Sequence, residues 1–248
     1  MNTRFDPVAG EVPDLTTEQM VEVDRSMFDD YGIELIQMME NAGRNLAHLA
    51  RERFLERNPK GKHVIVLAGH GGNGGGAMVC ARHLSNWGAS ISVYLTKEER
   101  EFQGVPAQQL SILSRMQVPI LQPGDTVLSS EPSSANVIVD GLIGYSLSGS
   151  PRGTAAELIR WANEQSAPIL SLDTPSGLDT ATGKVFDPTI KAAATLTLAL
   201  PKQGLRTRRE QVGELYLADI SVPPALYEKA LGLTVGPLFA ESDVIRLQ

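Results

Sequence analysis

The period of the apolar positions changes once along this chain, close to residue 60. Before that point they recur at helical spacing. Thr16 or Thr17 caps a helix that carries Met20, Val23, Met27 and Phe28 on one face. A second helix, from about Ile33 to Glu56, stripes Leu35, Met38, Met39, Ala42, Leu46, Leu49 and Ala50. Residues 1–13 are polar and punctuated by proline, and read as a flexible arm. After Asn58-Pro-Lys-Gly-Lys the apolar residues come in short runs, the mark of buried strands. These predict strands at Val64–Ala68, Ile91–Leu95, a weaker Val118–Leu121, Val137–Asp140, Ile169–Asp173, Ala194–Leu200 and Glu214–Ala218. Helical segments fall between them at Ala77–Trp87, Gln103–Met116 and Thr154–Glu164. This alternation predicts an α/β fold with a mainly parallel sheet and helices on both faces. No repeat, low-complexity tract or linker divides it, so residues 1–248 are expected to form one domain.

The strand ends are where polar chemistry gathers. After Val64–Ala68, six glycines crowd Gly69 to Gly76, and Gly69, Gly71 and Gly74 satisfy G-x-G-x-x-G. A strand–glycine loop–helix unit offers backbone N–H groups and a helix N-terminus to an anion such as a phosphate. A tight turn with close helix–sheet packing explains the same glycines without a ligand. Gly74 is expected where a ligand approaches closely or φ is positive, so that valine there removes nucleotide binding and leaves the fold intact. Asp140 ends the next central strand, ahead of Gly141-Leu-Ile-Gly-Tyr-Ser-Leu-Ser-Gly149. Asp173 ends another, ahead of Thr174-Pro-Ser-Gly-Leu-Asp179, and Leu200-Pro-Lys202 closes a third. In open parallel sheets ligands sit outside the carboxyl ends of the strands, so two carboxylates and a lysine are expected on one rim. Singly, each strand-end Asp reads equally well as a turn cap.

Composition narrows the function. The balance of 22 basic against 29 acidic residues gives −7, which argues against a nucleic-acid surface and makes any anion site a local one. The lone Cys80 excludes an intramolecular disulfide and fits a reducing compartment. The N-terminus lacks an apolar signal core and no apolar run suits a bilayer, so a soluble, cytoplasmic protein without membrane contact is expected. His48, His63, His70 and His83 lie in unlike contexts, so no transition-metal site is expected. Ser146, Ser148 and Ser150 have no placed histidine, so a nucleophilic triad is unsupported. Arg206, Arg208 and Arg209 read as a solvated basic loop. A dinucleotide dehydrogenase would need an acid ending the second strand, which instead runs Tyr94-Leu-Thr-Lys-Glu98.

Several motifs together resemble one family. They are Met38-Met-Glu-Asn-Ala-Gly43, Gly69-His-Gly-Gly-Asn-Gly-Gly75, Ala81-Arg-His-Leu84 and Val139-Asp-Gly-Leu-Ile-Gly144. Ser171-Leu-Asp-Thr-Pro-Ser-Gly-Leu-Asp179, Leu200-Pro-Lys202 and Gly213-Glu-Leu-Tyr216 follow in order. From about Thr17 to Pro223 the chain resembles the YjeF N-terminal domain family, the NAD(P)H-hydrate epimerases. The resemblance implies a Rossmann-like three-layer α/β/α sandwich with N-terminal helices, usually dimeric. It implies epimerisation of the C6 hydroxyl of hydrated NADH or NADPH, a damaged cofactor that a separate dehydratase then repairs. It implies one potassium ion per subunit, at Asn73, Asp140 and Ser176. Substrate contacts would fall on Gly72, Asn73, Gly74, Gly75 and Gly76, on Gly144, Tyr145, Ser146, Leu147, Ser148, Gly149 and Ser150, and on Asp173.

The family loop usually reads Asn-Asn-Gly-Gly-Asp-Gly, whereas this chain has Gly72-Asn-Gly-Gly-Gly-Ala77. A side chain is thus absent at Gly72 and a carboxylate at Gly76, which leaves open a catalytically weakened nucleotide-binding or scaffolding module. Inverting a carbon that bears a hydroxyl beside a ring nitrogen requires a reversible break there, by ring opening or by loss of the hydroxyl. Both routes need an acid/base group near the hydroxyl, and Asp173 is the candidate. Lys202 would hydrogen-bond the carboxamide or stabilise developing negative charge.

Overall fold

The computed structural model describes residue 5, residues 12–125 and residues 134–247. Helices α1 (Thr17–Asp29) and α2 (Leu35–Arg53) precede β1 (His63–Ala68), α3 (Gly72–Asn86), β2 (Ser90–Leu95), α4 (Gly104–Arg115) and β3 (Ile120–Leu121). The chain continues through β4 (Val137–Gly141), α5 (Gly153–Glu164), β5 (Ile169–Leu172) and β6 (Ala194–Leu198). Two single-turn helices, α6 (Gln203–Arg206) and α7 (Arg209–Val212), lead into β7 (Glu214–Ala218), α8 (Pro224–Leu231) and β8 (Val244–Arg246).

The strands form one eight-stranded sheet in the order β3-β2-β1-β4-β5-β6-β7-β8. All neighbouring pairs are parallel except β7 with β8. The strand order reverses between β1 and β4, the position where such sheets open a crevice for ligands. Alternate residues of the central strands feed two cores. Val64, Val66, Val137, Val139 and Leu170 pack with the apolar stripes of α1, α2, α3 and α4. Ile65, Leu67, Ile138 and Ile169 pack under Leu158, Ile159 and Trp161 of α5. These two helical faces around the sheet make the three-layer α/β/α sandwich. β8 and α8 escape the hydrophobic pattern: β8 is three residues long, and α8 is eight residues with only Leu226 and Tyr227 buried.

Helix α1 starts where Thr16 and Gln19 form a reciprocal capping box. Helix α3 starts at Gly72 rather than at Ala77, so most of the glycine run is helical. Tertiary packing overrides the poor helix propensity of glycine here. An added Cβ would lie 2.4 Å from Met39 Sδ at Gly75 and 2.4 Å from the Gly76 carbonyl at Gly43, so α2 and α3 approach too closely for side chains at these points. Of the expected arm, residues 1–4 and 6–11 lie outside the described residues. Phe5 and Val12 are buried, with Phe5 edge-on to Tyr216. Arg206 holds Asp14 at 3.0 Å and the Val12 carbonyl at 3.1 Å. Arg208 bonds the Gly183 carbonyl. Arg206 and Arg208 therefore tie chain segments together, while Arg208 and Arg209 remain exposed as a solvated loop would have them.

Candidate active site

A cavity of about 520 Å³ opens over the carboxyl ends of β1, β4, β5 and β6. Its floor is His70, Gly71, Gly72 and Asn73 after β1, Leu142 to Ser146 after β4, Asp173 after β5, and Leu198 and Lys202 after β6. Met20 and Asp24 of α1, with Leu35, Met38, Met39 and Ala42 of α2, form the opposite wall. The size and the mainly apolar wall with a few convergent polar groups suit a small-molecule site.

Asp173 and Lys202 meet at the centre. The Lys202 side chain is wholly buried, and its Nζ donates to Asp173 Oδ1 at 2.5 Å, to the Leu198 carbonyl at 3.0 Å and to Thr197 Oγ1 at 3.3 Å. An ammonium has three protons, and all three are used. Lys202 therefore holds the carboxylate and has no proton left for a carboxamide. Asp173 adopts φ +65°, a left-handed conformation that Asp tolerates better than most residues. Its Oδ2 accepts from the Tyr145 backbone N–H at 3.2 Å. Gly144 lies between two polar groups: an added Cβ would stand 3.3 Å from Asn73 Cγ and 3.4 Å from Asp173 Oδ2.

Asp140 is placed differently. It is completely buried beneath the floor and does not line the cavity. Its Oδ1 accepts from Ser176 Oγ at 2.6 Å and Leu142 N at 3.2 Å, and its Oδ2 from Ser171 Oγ at 2.8 Å and Ser176 N at 2.9 Å. Burial raises its carboxyl above the usual range, while the Ser176 and Ser171 donors pull it back. It joins no ion pair among the described residues. Asn73 lies beside this cluster: its Nδ2 donates to the Leu172 carbonyl at 2.9 Å, and its backbone oxygen abuts Gly141.

The glycine run divides by position. Gly71 and Gly72 face open space at the mouth, where α3 begins with no side-chain cap and no acid in its first turn. That leaves a helix N-terminus turned toward the cavity. Gly74 and Gly75 are buried and line nothing. None of the six has a positive φ. A Cβ at Gly74 would fall 1.7 Å from the Gly69 carbonyl oxygen, so valine there must disrupt the β1–α3 turn and cannot leave the fold intact. A side chain at Gly76 would press on Leu172 Cδ2 at 2.7 Å. Among residues 144–150, Gly144, Tyr145 and Ser146 line the cavity, whereas Leu147, Ser148, Gly149 and Ser150 lie beyond it.

Sequence reasoning missed Asp24. It sits four residues after Met20 and three before Met27, an acid on the apolar stripe of α1, and that misplacement was the available signal. Its Oδ2 accepts from the Tyr145 hydroxyl at 2.5 Å.

This floor, a polar pair at the carboxyl ends of a parallel sheet beside an uncapped helix, places the protein among open α/β folds that bind ligands outside the carboxyl ends of their strands. The model of the YjeF-related protein N-terminus family matches residues 35–204, and the chain belongs to that family. A Dehalogenimonas lykanthroporepellens protein named NAD(P)H-hydrate epimerase is 42% identical over 93% of this chain and 91% of its own length. A Rhodopirellula baltica protein of the same name is 32% identical over 90% of each chain. A Salinibacter ruber protein named bifunctional NAD(P)H-hydrate repair enzyme Nnr is 32% identical over 88% of this chain, which matches 42% of that protein. The crystal structure of the yeast protein YNL200c superimposes with a TM-score of 0.82 at 28% identity, covering 95% of this chain and all of that one.

Proposed function

We propose that this protein is an isomerase that interconverts the C6 epimers of hydrated NADH and NADPH in cofactor repair. The observation that carries the reading is the buried Asp173–Lys202 pair on the cavity floor, in a chain matched along most of its length by relatives named for this activity. A buried ammonium clamped on a carboxylate at the floor of a ligand cavity favours a site built for chemistry over a non-catalytic scaffold. Asp173 takes the proton of the C6 hydroxyl as the ring opens or the hydroxyl departs, and returns one when the carbon closes on its other face. Lys202 keeps the carboxylate aimed. The first-turn amides of α3 at Gly72 and Asn73 receive the phosphates. The activity is tested by mixing the purified protein with both hydrate epimers and following their interconversion by chromatography. Epimers that stay separate would overturn it.

Potassium suits the cluster beneath the floor. Asp140 supplies a buried carboxylate surrounded by neutral donors alone, and Asn73 and Ser176 supply neutral oxygens, a donor set for a hard cation. An ion held there would offset the buried charge and order the β4 and β5 turns. Activity should be higher in potassium than in equal sodium at matched ionic strength, and Asp140→Ala should abolish the difference. Equal rates of the wild type in both salts would remove the site. The dehydration that completes repair would fall to a separate dehydratase, the partner implied by relatives named as bifunctional repair enzymes. The exposed side chains of Val21 and Phe28 on α1, each 54% accessible, and of Leu35 and Ile36 at the start of α2 support a homodimer through these helices. Light scattering on Phe28→Glu should then read a monomer. No described helix is long and apolar enough to cross a membrane. A single buried Cys80 fits the reducing cytoplasm as the site of action.

A further inference from the structure

Epimerisation through ring opening moves two protons, yet the Asp173–Lys202 pair supplies one proton carrier. The described cavity lining holds one other carboxyl. Asp24 reaches over from α1, and Tyr145 joins the two: its amide donates to Asp173 Oδ2 at 3.2 Å and its hydroxyl to Asp24 Oδ2 at 2.5 Å. Among the described residues Asp24 Oδ1 has no hydrogen-bond partner and Asp24 meets no cation at ion-pair distance. The geometry points to Asp24 as the second proton-transfer residue of the reaction, acting as general acid at the ring nitrogen while Asp173 acts as base at the hydroxyl. This assignment rests on the epimerase reading and deepens it.

The step balances. Asp173 takes the C6 hydroxyl proton, the C6–O bond becomes a carbonyl, and the N1–C6 bond breaks with its electron pair passing to N1. The Asp24 carboxyl gives its proton to N1. Rotation about C5–C6 presents the other face of the aldehyde; on reclosure N1 attacks the carbonyl and gives its proton back to Asp24, while Asp173 returns its proton to the C6 oxygen. No oxidant or further reactant is required. The environments of the two carboxyls suit the division. Asp173 sits against an ammonium, whereas burial raises Asp24 above the ordinary carboxyl range, offset in part by the Tyr145 hydroxyl. The charged and titratable groups acting on Asp24 are Tyr145, Lys202 and Asp173 across the cavity and Tyr227 of α8.

The test compares wild type, Asp24→Asn and Tyr145→Phe in the epimer-interconversion assay across pH, with folding followed by circular dichroism. An acid that must be protonated loses rate as pH rises through its pKa. Asp24→Asn should lower kcat about 100-fold with KM within about twofold, and should erase that basic limb. The Tyr145 hydroxyl favours the Asp24 anion, so Tyr145→Phe should keep much of the rate and move the limb to higher pH. Wild-type kcat in Asp24→Asn would overturn the assignment, as would a reduced kcat with the basic limb unchanged, which marks a merely structural carboxyl. Should Asp24→Asn fail to fold, an unmoved limb in Tyr145→Phe would overturn it as well. A wild type unable to interconvert the epimers would instead defeat the epimerase reading itself, and this assignment with it.

Discussion

Asp140 and Asp173 end neighbouring strands and look alike in the sequence, but the structure gives them opposite surroundings. Asp140 extends β4 beneath the floor and is met only by neutral donors: two serine hydroxyls and two backbone amides. Asp173 leaves β5 in a left-handed turn that lifts its carboxylate into the cavity, where an ammonium meets it. The first carboxylate fixes the turns and the second faces a ligand. What separates them is one backbone torsion and the identity of the donor, features that strand periodicity does not encode.

The sharpest way to break this contrast is Asp173→Asn. It should lower the epimerisation rate by about two orders of magnitude or more. It should also lower stability, because the buried Lys202 loses its counter-charge, a loss of about 3–5 kcal/mol for a broken buried pair. Asp173→Asn combined with Lys202→Met should regain much of the stability in urea unfolding and none of the rate. A double variant as unstable as the single one would show that the pair is no energetic unit.

Gly74→Ala comes next. The Cβ would meet the Gly69 carbonyl, so the expected loss is about 3 kcal/mol or more, read as a lower thermal midpoint. Asp140→Asn should lose about 1–3 kcal/mol at low pH, where the carboxyl of both states is protonated. Burial raises the folded pKa above the unfolded one, so wild-type stability falls relative to the Asn variant as pH rises from about 4. The gap between the two should narrow with pH in sodium and change less in potassium. A gap independent of pH would mean that Asp140 carries no burial penalty. The smallest effect belongs to Gly72→Asn, which restores the usual family side chain at a position facing open space. Stability should stay within about 0.5 kcal/mol and nucleotide binding should persist.

The parallel strands were legible because buried strands of such a sheet are continuous apolar runs, and all seven read from the pattern are present within a few residues. The start of α3 was not, because glycine propensity speaks against helix and only the proximity of α2 explains its use. The site was legible as strand-end residues, Asp173 and Lys202 above all. Asp24 was not, because a lone acid on an amphipathic helix reads as solvent-facing unless its place on the stripe is noticed. The restoring asparagine meets nothing at Gly72, whereas an aspartate at Gly76 requires the end of Leu172 to move aside. The departure from the family loop is thus partly a packing exchange.

One short pairing, Leu15 beside Lys202, bears on how the molecule is made. The Leu15 N–H donates to the Pro201 carbonyl at 2.8 Å, the Gln203 N–H returns to the Leu15 carbonyl at 3.2 Å, and α1 packs on α8. During synthesis the first helix leaves the ribosome long before the lysine or α8 exists to receive it. The strands as far as β5 can pair while α1 waits, and the cavity wall closes only when almost the whole chain has emerged. A truncated or stalled product would carry the glycine turn, Asp173 and the α2 side of the wall, but no lysine beneath the carboxylate and no anchor for the α1 side that brings Asp24.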